Sequence, residues 1–384
     1  MEYADMIHRC FRCGWCKLPV NFHDINCPSY LKYRFETFSS GGRLWLIRAW
    51  LQNEIEASDR FSEILFSCVT CKNCVQACAL PEIKDYLVDM VIAAREEMVE
   101  KGVLPPPVRD FLKAITTSGN PYKRLQTERG KWADGLDIEN YKDQEYLFYV
   151  GDAGSYDEIG QKMARSVASL LSFAGVSFGI LAERETGDGN DVKAIGEKEL
   201  FLLLAAQNIN KFRDFGIKKV ITLSPHGFNS IKNEYPKCGG DFEVYHYTQV
   251  LSGLVKDTLS LSPLNVKVTY HDPCYLGRWN NEYTAPRDIL QSIPGLDLIE
   301  MDRCRENSLC CGGGGGNFFT DILGPGKDSS SRVRVREAFE TGAEILAVSC
   351  PICAKMFDDA IKAEELEEKI QVKDVAEIVY EARK

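Results

Sequence analysis

The spacing of the cysteines limits most strongly how this 384-residue chain can fold. Eight of the 15 cysteines lie within the first 78 residues, and five more lie in three groups near the end. The residues after Met1 do not resemble a secretory signal, so this many cysteines indicate metal binding rather than disulfides. The early ones form two runs, Cys10-x2-Cys13-x2-Cys16 followed by Cys27, and Cys68-x2-Cys71-x2-Cys74 followed by Cys78.

Each early run is typical of an iron–sulfur protein. Two-residue gaps let one turn of backbone present three thiolates to one face, and a remote fourth cysteine serves the other cluster. Zinc is the alternative, since Cys-x2-Cys pairs also build tetrahedral sites. The pairing rule predicts two [4Fe-4S] cubane clusters, the first held by Cys10, Cys13, Cys16 and Cys78, and the second by Cys68, Cys71, Cys74 and Cys27.

The segments around these runs have a helical pattern. Apolar residues between Arg43 and Phe66 recur at helical spacing, and a further helix is expected from Tyr86 to Lys101. Residues 1–101 are therefore expected to form an all-α ferredoxin module that holds both cubanes. Three prolines at 105–107 and a Gly-Asn-Pro turn follow, which predicts an extended connector over residues 102–144.

The rest of the chain alternates short apolar runs with longer helical segments, which predicts parallel α/β units. The same order occurs twice, over residues 145–262 and 263–384, and indicates an internal duplication. Strands are expected at Tyr146–Val150, Val176–Leu181, Lys219–Leu223, Val266–Tyr270, Leu296–Met301 and Ile345–Val348. Helices are expected up to Ala174, with Ser155 and Glu158 as a capping box, and over Glu197–Phe215, Ala285–Ser292 and Arg332–Thr341.

Three segments of the second unit carry a specific cysteine pattern. They read Tyr270-His271-Asp272-Pro273-Cys274-Tyr275-Leu276-Gly277-Arg278, Cys310-Cys311-Gly312 and Ser349-Cys350-Pro351-Ile352-Cys353. This pattern resembles the CCG domains of heterodisulfide reductase B and D subunits. The D subunit, a two-cluster ferredoxin module followed by tandem CCG domains, is similar to the whole chain. The resemblance implies one non-cubane [4Fe-4S] cluster held by Cys274, Cys310, Cys311, Cys350 and Cys353.

The first unit keeps the frame of this pattern but lacks its cysteines. Asp152 stands at the position of the first cysteine, Glu185 and Thr186 replace the Cys-Cys pair, and Ser224 and Gly227 replace the last pair. Oxygen ligands hold an iron–sulfide cluster poorly. We therefore predict that the first unit binds no cluster and is structural.

A run of five glycines follows Cys310-Cys311. A phosphate-binding loop is one interpretation, but no Gly-Lys-Ser or Gly-Lys-Thr follows it. The backbone amides of Gly312 and Gly313 are instead expected to approach the cluster sulfurs and donate hydrogen bonds to them.

Four other side chains have no assigned chemistry. His271, beside Asp272, is open to two interpretations, a proton donor near the cluster or a structural hydrogen-bonding partner. His226 is expected to be structural, and Cys238 and Cys304 are expected to be plain thiols. The sequence assigns no catalytic residue.

The net charge of −10 argues against nucleic acid as a ligand. No apolar run approaches the ~20 residues that a membrane helix needs. We therefore expect a cytoplasmic protein that reaches a membrane only through a partner.

Three iron–sulfur centres without a nucleotide or flavin motif predict an electron-transfer subunit of an anaerobic oxidoreductase complex. The chain would relay electrons between the cubanes, the non-cubane cluster and a partner, which is a flavoprotein, a membrane cytochrome or a catalytic metalloenzyme subunit. The alternative is a catalytic subunit that reduces a disulfide or a quinone-type acceptor at the non-cubane cluster. A docking scaffold without a functional centre is disfavoured by the intact spacing from Cys274 to Cys353.

Overall fold

The computed structural model describes residues 1–20 and 24–384. In this part of the chain, the residues before Tyr146 form helices and no β-strand. The helices expected between Arg43 and Phe66, and from Tyr86, are confirmed. The helices here are α1 Ala4–Ile7, α2 Pro28–Tyr33, α3 Ser40–Leu51, α4 Asp59–Phe66, α5 Asn73–Ala77, α6 Leu87–Glu100 and α7 Pro106–Ser118.

Helix α7 corrects the expectation of an extended connector. Pro106 and Pro107 occupy its first turn, where the missing amide donors would have had no helical partner in any case. The helix buries Val108, Phe111 and Ile115 on one face and ends at Gly119, which has φ +71°. The prolines therefore start a packed helix instead of holding a spacer extended.

The first α/β unit contains a four-stranded sheet in the order β2-β1-β3-β4, with every pairing parallel. Its strands are β1 Tyr146–Tyr149, β2 Phe178–Gly179, β3 Lys219–Thr222 and β4 Glu243–His246. Its helices are α8 Gly151–Tyr156, α9 Glu158–Phe173, α10 Asn190–Ile195, α11 Lys198–Asp214, α12 Pro225–Asn229 and α13 Tyr247–Asp257.

The second unit repeats this topology, with a parallel sheet in the order β6-β5-β7-β8. The predicted α/β class with two parallel sheets is thereby confirmed. Its strands are β5 Val266–Tyr270, β6 Leu296–Leu298, β7 Ile345–Val348 and β8 Gln371–Asp374. Its helices are α14 Ala285–Gln291, α15 Asn317–Thr320, α16 Ser330–Glu340, α17 Pro351–Ala363 and α18 Val375–Ala382.

The predicted capping box of α9 is wrong. Asp157 is the N-cap residue, and its carboxylate accepts from the amides of Ile159 and Gly160 at 3.0 and 3.1 Å. The hydroxyl of Ser155 donates to the Gly151 carbonyl within α8. The short helix α8 therefore lies before this cap, and the N-cap of α9 is two residues later than predicted.

Two hydrophobic cores cross the predicted domain boundaries, because alternate residues of a strand face opposite sides of its sheet. On β1, Leu147 and Tyr149 belong to the core that includes the N-terminal helices, whereas Phe148, and Val150 directly after the strand, belong to the core that includes the second unit. On β3, Val220 belongs to the core that includes the N-terminal helices, and Ile221 belongs to the core that includes the second unit. The first unit thus contributes to the cores of both other parts.

Among the helices of residues 1–20 and 24–384, none is both long and apolar enough to cross a membrane.

Candidate metal centres

Parallel strands bring the predicted ligands of the second unit to one edge of its sheet. Cys274 follows β5 and Cys350 follows β7, so both lie beyond the carboxyl ends of adjacent strands. This edge of a parallel sheet is where α/β proteins bind ligands. The corresponding positions of the first unit, Asp152 after β1 and Ser224 after β3, lie at the equivalent edge.

The structure groups the early cysteines into two cavities. The first is lined by Cys10, Cys13, Cys16 and Cys78, which are the thiols predicted for one cubane. Burial raises the pKa of Cys10 and Cys78, and raises that of Cys16 to about 12. The amide of Gly41 faces the Cys16 sulfur at 3.4 Å and that of Leu80 faces the Cys78 sulfur at 3.5 Å, as donors that favour a thiolate.

The second cavity is lined by Cys27, Cys68, Cys71 and Cys74, the thiols predicted for the other cubane, and also by Cys16 of the first set. Buried Arg43 also lines it and donates to the Ile64 and Phe38 carbonyls at 2.7 and 2.9 Å. Burial raises the pKa of Cys27, and the positive charge of Arg43 opposes that shift. A fixed cation therefore compensates part of the negative charge that deprotonated ligands would bring to this cavity.

The five later cysteines are all buried and lie together. The Cys274 and Cys310 sulfurs are 3.7 Å apart, and those of Cys311 and Cys353 are 3.3 Å apart. Cys350 and Cys353 lie one helical turn apart, at the N-cap and in the first turn of α17. These thiols come from three parts of the sequence and are as close together as a shared centre requires.

The glycine loop has the geometry predicted from the sequence at this site. The amides of Gly312 and Gly313 point at the sulfurs of Cys310 and Cys311, at 3.4 and 3.5 Å. Gly312 has φ +92°, a left-handed conformation that favours glycine. The loop thus presents two backbone donors to the cysteine sulfurs.

Arg278 gives an independent test of whether a cluster fits here. Its guanidinium is buried, and Nη2 has no hydrogen-bond partner within the described chain. Its charge lies close to Cys71, Cys274 and Cys310, whose sulfurs would be negative as ligands. A sulfide or thiolate acceptor would satisfy this orphaned donor, so the site fits an iron–sulfur cluster.

His271 is buried beside the same site and is held by Arg334, whose Nε lies 3.3 Å from its Nδ1. Burial lowers the pKa of His271 well below 6.5, and the charges of Arg334 and Arg278 lower it further. The imidazole is therefore neutral near pH 7, which favours the structural interpretation over the proton donor.

Within residues 1–20 and 24–384, no three His, Cys, Asp or Glu side chains converge as one metal ion would require. The early cysteines line two cavities, and the later ones form a group of buried thiols. Their assignment to particular clusters stays a prediction.

The cavity of the second cubane adjoins the later cysteines directly. The Thr70 and Tyr275 hydroxyls are hydrogen-bonded at 2.9 Å, and Arg278 donates to the Cys71 carbonyl at 2.6 Å, although these pairs belong to different modules. The glycine loop packs against the same segment, because a Cβ at Gly314 or Gly315 would lie 2.6 Å from the Val69 or Cys68 carbonyl oxygen. The two predicted centres are therefore separated by closely packed backbone.

An ion-pair network fills part of the first unit's site. Arg129 is buried and donates to Asp152 at 2.7 Å and to Glu185 at 3.2 Å. The amides of Val150 and Gly151 donate to the Glu185 carboxylate at 3.1 and 2.9 Å. The carboxylates at two former ligand positions are thus paired with a cation and with backbone amides. The arrangement supports the prediction that this unit is structural.

A cavity remains beside this network and is lined by Asp188, Asp191 and His226. His226 lies 3.5 Å from Asp191 and packs against Tyr275 of the second unit, with ring centroids 4.3 Å apart. Burial lowers the pKa of His226, but Asp191 and other anions raise it more strongly, to about 9. His226 is therefore a cation at neutral pH, which the sequence interpretation missed because its charge depends on a neighbour 35 positions away.

Cys238 and Cys304 are both partly buried. Neither lines a cavity that contains the predicted ligands. Their predicted status as plain thiols is unaffected.

Two family models match the chain. A 4Fe-4S dicluster domain matches residues 6–80, and the CCG cysteine-rich domain matches residues 268–358. The first match contains all eight early cysteines, and the second contains all five later ones.

Curated relatives cover most of this chain. It is 38% identical to the probable iron-sulfur-binding oxidoreductase FadF of Bacillus subtilis, over 83% of this chain and 46% of that protein. It is 34% identical to the EtfAB:quinone oxidoreductase of Syntrophomonas wolfei, over 84% and 47%. The chain thus spans about half the length of these two relatives.

One relative matches almost end to end. The D subunit of the dihydromethanophenazine:CoB--CoM heterodisulfide reductase of Methanosarcina barkeri is 30% identical, over 97% of this chain and 93% of that protein. Among solved structures, a hypothetical protein from Helicobacter pylori covers 92% of this chain and 70% of its own, with a TM-score of 0.56 and 12% identity. That likeness concerns the fold alone.

Proposed function

Because the chain belongs to the family of heterodisulfide reductase D subunits, we propose that it is an electron-transfer subunit of a larger oxidoreductase complex. Its eight early cysteines would hold two cubane [4Fe-4S] clusters, and Cys274, Cys310, Cys311, Cys350 and Cys353 would hold one non-cubane cluster. When bound, these clusters would supply one-electron carriers. An electron-transfer role of this kind requires no substrate other than the electron donor and acceptor.

The contact between Arg278 and the segment of Cys71 carries this proposal. Arg278 donates to the Cys71 carbonyl at 2.6 Å, while its charge lies near Cys274 and Cys310. Cys71 and Cys310 are predicted ligands of different centres, so one buried side chain would lie against both. The chain holds these groups with buried, fixed contacts, as an electron path requires.

The filled site of the first unit favours a relay over a disulfide reductase. The resemblance implies one non-cubane cluster for each intact CCG domain, whereas here Arg129 pairs with Asp152 and Glu185 in the first unit. A single remaining centre suits the passage of electrons to a partner. The partner proposed is a flavoprotein, a membrane cytochrome or a catalytic metalloenzyme subunit.

Two relatives guide the choice of partner and location. One is named an EtfAB:quinone oxidoreductase, and another, from Chromohalobacter salexigens, a probable membrane-anchored ferredoxin. We propose a cytoplasmic site for this chain, with membrane association through its partner. Copurification of the native complex under anaerobic conditions would identify that partner.

Iron content tests the cluster assignment. The anaerobically purified chain is expected to contain about 12 irons, and Cys310→Ser is expected to remove about four of them. Cys238→Ser is the matched control and should keep the full content. A wild-type value of about 8 would contradict the non-cubane cluster, and about 16 would show that the first unit is loaded.

A second candidate function is reduction of a small acceptor at the later cysteines. The observation in its favour is a groove of about 490 Å³ that reaches Cys311 and Gly312. Turnover of a heterodisulfide or a quinone by the isolated, iron-loaded chain with an artificial donor would support this candidate over the relay.

A further inference from the structure

Two arginines beside the second cavity are buried without a carboxylate partner. Arg43, which lines that cavity, is 1% exposed, and Arg95 is fully buried. Besides its two carbonyl acceptors, Arg43 donates to the hydroxyls of Ser29 and Ser67, each at 2.7 Å. In the described part of the chain, neither guanidinium forms an ion pair. Buried charges are generally paired with an opposite charge, so these two indicate an anion that the side chains do not supply.

The two arginines also lie close enough to repel each other. Arg95 donates from Nη2 to the carbonyls of Leu65 and Cys68, and from Nη1 to the Ala194 carbonyl at 2.6 Å. Burial lowers the pKa of Arg95 to about 10, and the charge of Arg43 lowers it as well, whereas a Cys68 thiolate would raise it. Arg95 is therefore still a cation at neutral pH, and it is fixed to the backbone of a predicted cubane ligand.

A cluster in the second cavity would be the missing anion. A cubane with four thiolate ligands is negatively charged, and it gains one further negative charge on reduction. Arg43 lines this cavity, Arg95 is held at the Cys68 carbonyl, and Arg278 is held at the Cys71 carbonyl. Three buried cations thus lie at the place of one anion.

The first cavity differs in its charges. Arg12 is the one cation among the described residues that line it, and its side chain is exposed. The guanidinium lies over the Trp45 ring, 4.1 Å from the ring centroid. Solvent screens an exposed charge, whereas the same charge acts several-fold more strongly in the low dielectric of the interior. The chain therefore presents a more positive potential to the second cavity than to the first.

Burial acts in the opposite direction. A low dielectric disfavours the more negative, reduced state of a cluster, so burial alone would make the second cubane harder to reduce. Cys71 of its predicted ligands is buried, whereas Cys13 of the first set is exposed. The same low dielectric strengthens the attraction of fixed cations for an added electron. Because three cations act on one added charge, we expect their attraction to exceed the effect of burial.

We infer that Arg43 and Arg95 hold the midpoint potential of the second cubane above that of the first, and so direct electrons inward from the exposed Cys13. One electron would leave a reduced first cubane and enter an oxidised second one, without a change of bonds or protons. The path is short, because Cys16 lines both cavities. The inference rests on the proposed function, since it requires both clusters.

An anaerobic redox titration followed by electron paramagnetic resonance measures both potentials. Arg43→Met and Arg95→Met each remove one buried charge. Each is expected to lower the higher of the two cubane potentials by roughly tenfold in the equilibrium constant for reduction, which is about 59 mV. Arg43→Lys keeps the charge and should stay closer to the wild type. Arg129→Met is the matched control, because it removes a buried guanidinium that pairs with Asp152 and Glu185 outside this cavity.

The control separates an effect of charge from an effect of stability. Arg129→Met should destabilise the protein and leave both cubane potentials unchanged. If Arg43 and Arg95 had a merely structural role, their methionine variants would behave in the same way. Unchanged potentials in both variants would therefore overturn the inference, as would a shift of the lower potential alone.

Cys13→Ser tests the order of the two potentials while both arginines are intact, so it does not depend on the folding of the methionine variants. Cys13 is exposed and belongs to the predicted ligands of the first cubane. The substitution is expected to alter or remove the signal of lower potential. A change in the signal of higher potential would show the reverse order and overturn the inference.

Iron analysis distinguishes that result from a failure of the proposed function. A content of about 12 irons together with the reverse order would overturn the inference alone. A content of about 4 irons or fewer would show that the cubanes are absent, and would contradict the proposed function and the inference with it.

Discussion

Arg278 donates from Nε to the backbone carbonyl of Cys71 at 2.6 Å, across 207 positions of sequence. The same guanidinium donates to the Ser308 carbonyl at 2.6 Å, and its Nη2 has no hydrogen-bond partner among residues 1–20 and 24–384. One side chain therefore fixes the position of a predicted cubane ligand and places a positive charge beside the predicted non-cubane site.

Removal of this charge should make the adjoining centres harder to reduce. Arg278→Met is expected to lower their midpoint potentials by on the order of tens of millivolts, because a nearby cation stabilises the more negative, reduced state. Arg278→Lys keeps a charge and should shift them less. Anaerobic redox titration followed by electron paramagnetic resonance measures the change. Arg336→Met, at a partly exposed arginine paired with Glu364, is the control; unchanged potentials in Arg278→Met would contradict this role.

Gly315→Ala should disrupt the contact between the two modules. The new methyl group would lie 2.6 Å from the Cys68 carbonyl oxygen, and the residue has φ +63°. Gly342→Ala is the control, since Gly342 has φ +74° with open space around it. The control isolates the backbone cost of about 1 kcal/mol. Thermal or denaturant unfolding should show a further loss of about 2 kcal/mol in Gly315→Ala, and equal losses would show that the contact is unimportant.

Arg129→Met should destabilise the protein in a pH-dependent way. Burial already raises the pKa of Asp152 and Glu185, and Arg129 opposes that rise. Without Arg129 their folded pKa values rise further above the unfolded values of about 4. The stability of the variant is then retained at low pH and lost as the pH rises through the new values.

We expect the free energy of unfolding of Arg129→Met to be about 3 kcal/mol below that of the wild type at pH 7, and the difference to shrink toward pH 4. Unfolding measured at both pH values checks this. Arg124→Met removes an exposed arginine that pairs with Glu128 in the same segment, and it should change little. A deficit in Arg129→Met that is independent of pH would exclude the buried carboxylates as its cause.

His226 should give the protein a second pH dependence, at higher pH. The pKa of His226 in the folded protein is about 9, above the ordinary value of 6.5. Its contribution to the free energy of unfolding is therefore complete below pH 6.5 and is lost as the pH rises through about 9. Between pH 6.5 and 9.5 the wild type should lose about 2 kcal/mol more stability than His226→Gln does.

His246→Gln is the control for that comparison. His246 is also buried in the first unit, but burial lowers its pKa to about 3, so it stays neutral over the whole range. Its removal should leave the slope of stability against pH unchanged. The prediction for His226 would fail if wild type and His226→Gln had the same slope.

The sequence predicts local patterns well and long-range contacts poorly. The strands β1, β3, β5 and β7 were predictable because each is an apolar run that precedes a ligand position. Helix α7 was missed because consecutive prolines usually hold a chain extended, although Val108, Phe111 and Ile115 have helical spacing. The N-cap Asp157 was missed in favour of Ser155, two residues earlier.

At the candidate site, the cysteine groups predicted from the spacing line two cavities and form one group of buried thiols, and their roles as ligands stay predictions. The roles of Arg278 and His226 could not be predicted from spacing. Each depends on partners that only the folded chain defines. The position of Arg278, four residues after Cys274, places it near the predicted site. Nothing in the sequence indicates that its side chain reaches Cys71.

The division of β1 between two cores explains why a unit without metal ligands persists in the chain. Leu147 and Tyr149 belong to the core shared with the N-terminal helices, while Phe148 and Val150 belong to the core shared with the second unit. Deletion of the first unit would expose apolar surface on both neighbours at once. The first unit therefore needs its fold, whereas it needs no cysteine ligands. The chain should accordingly unfold in one cooperative transition.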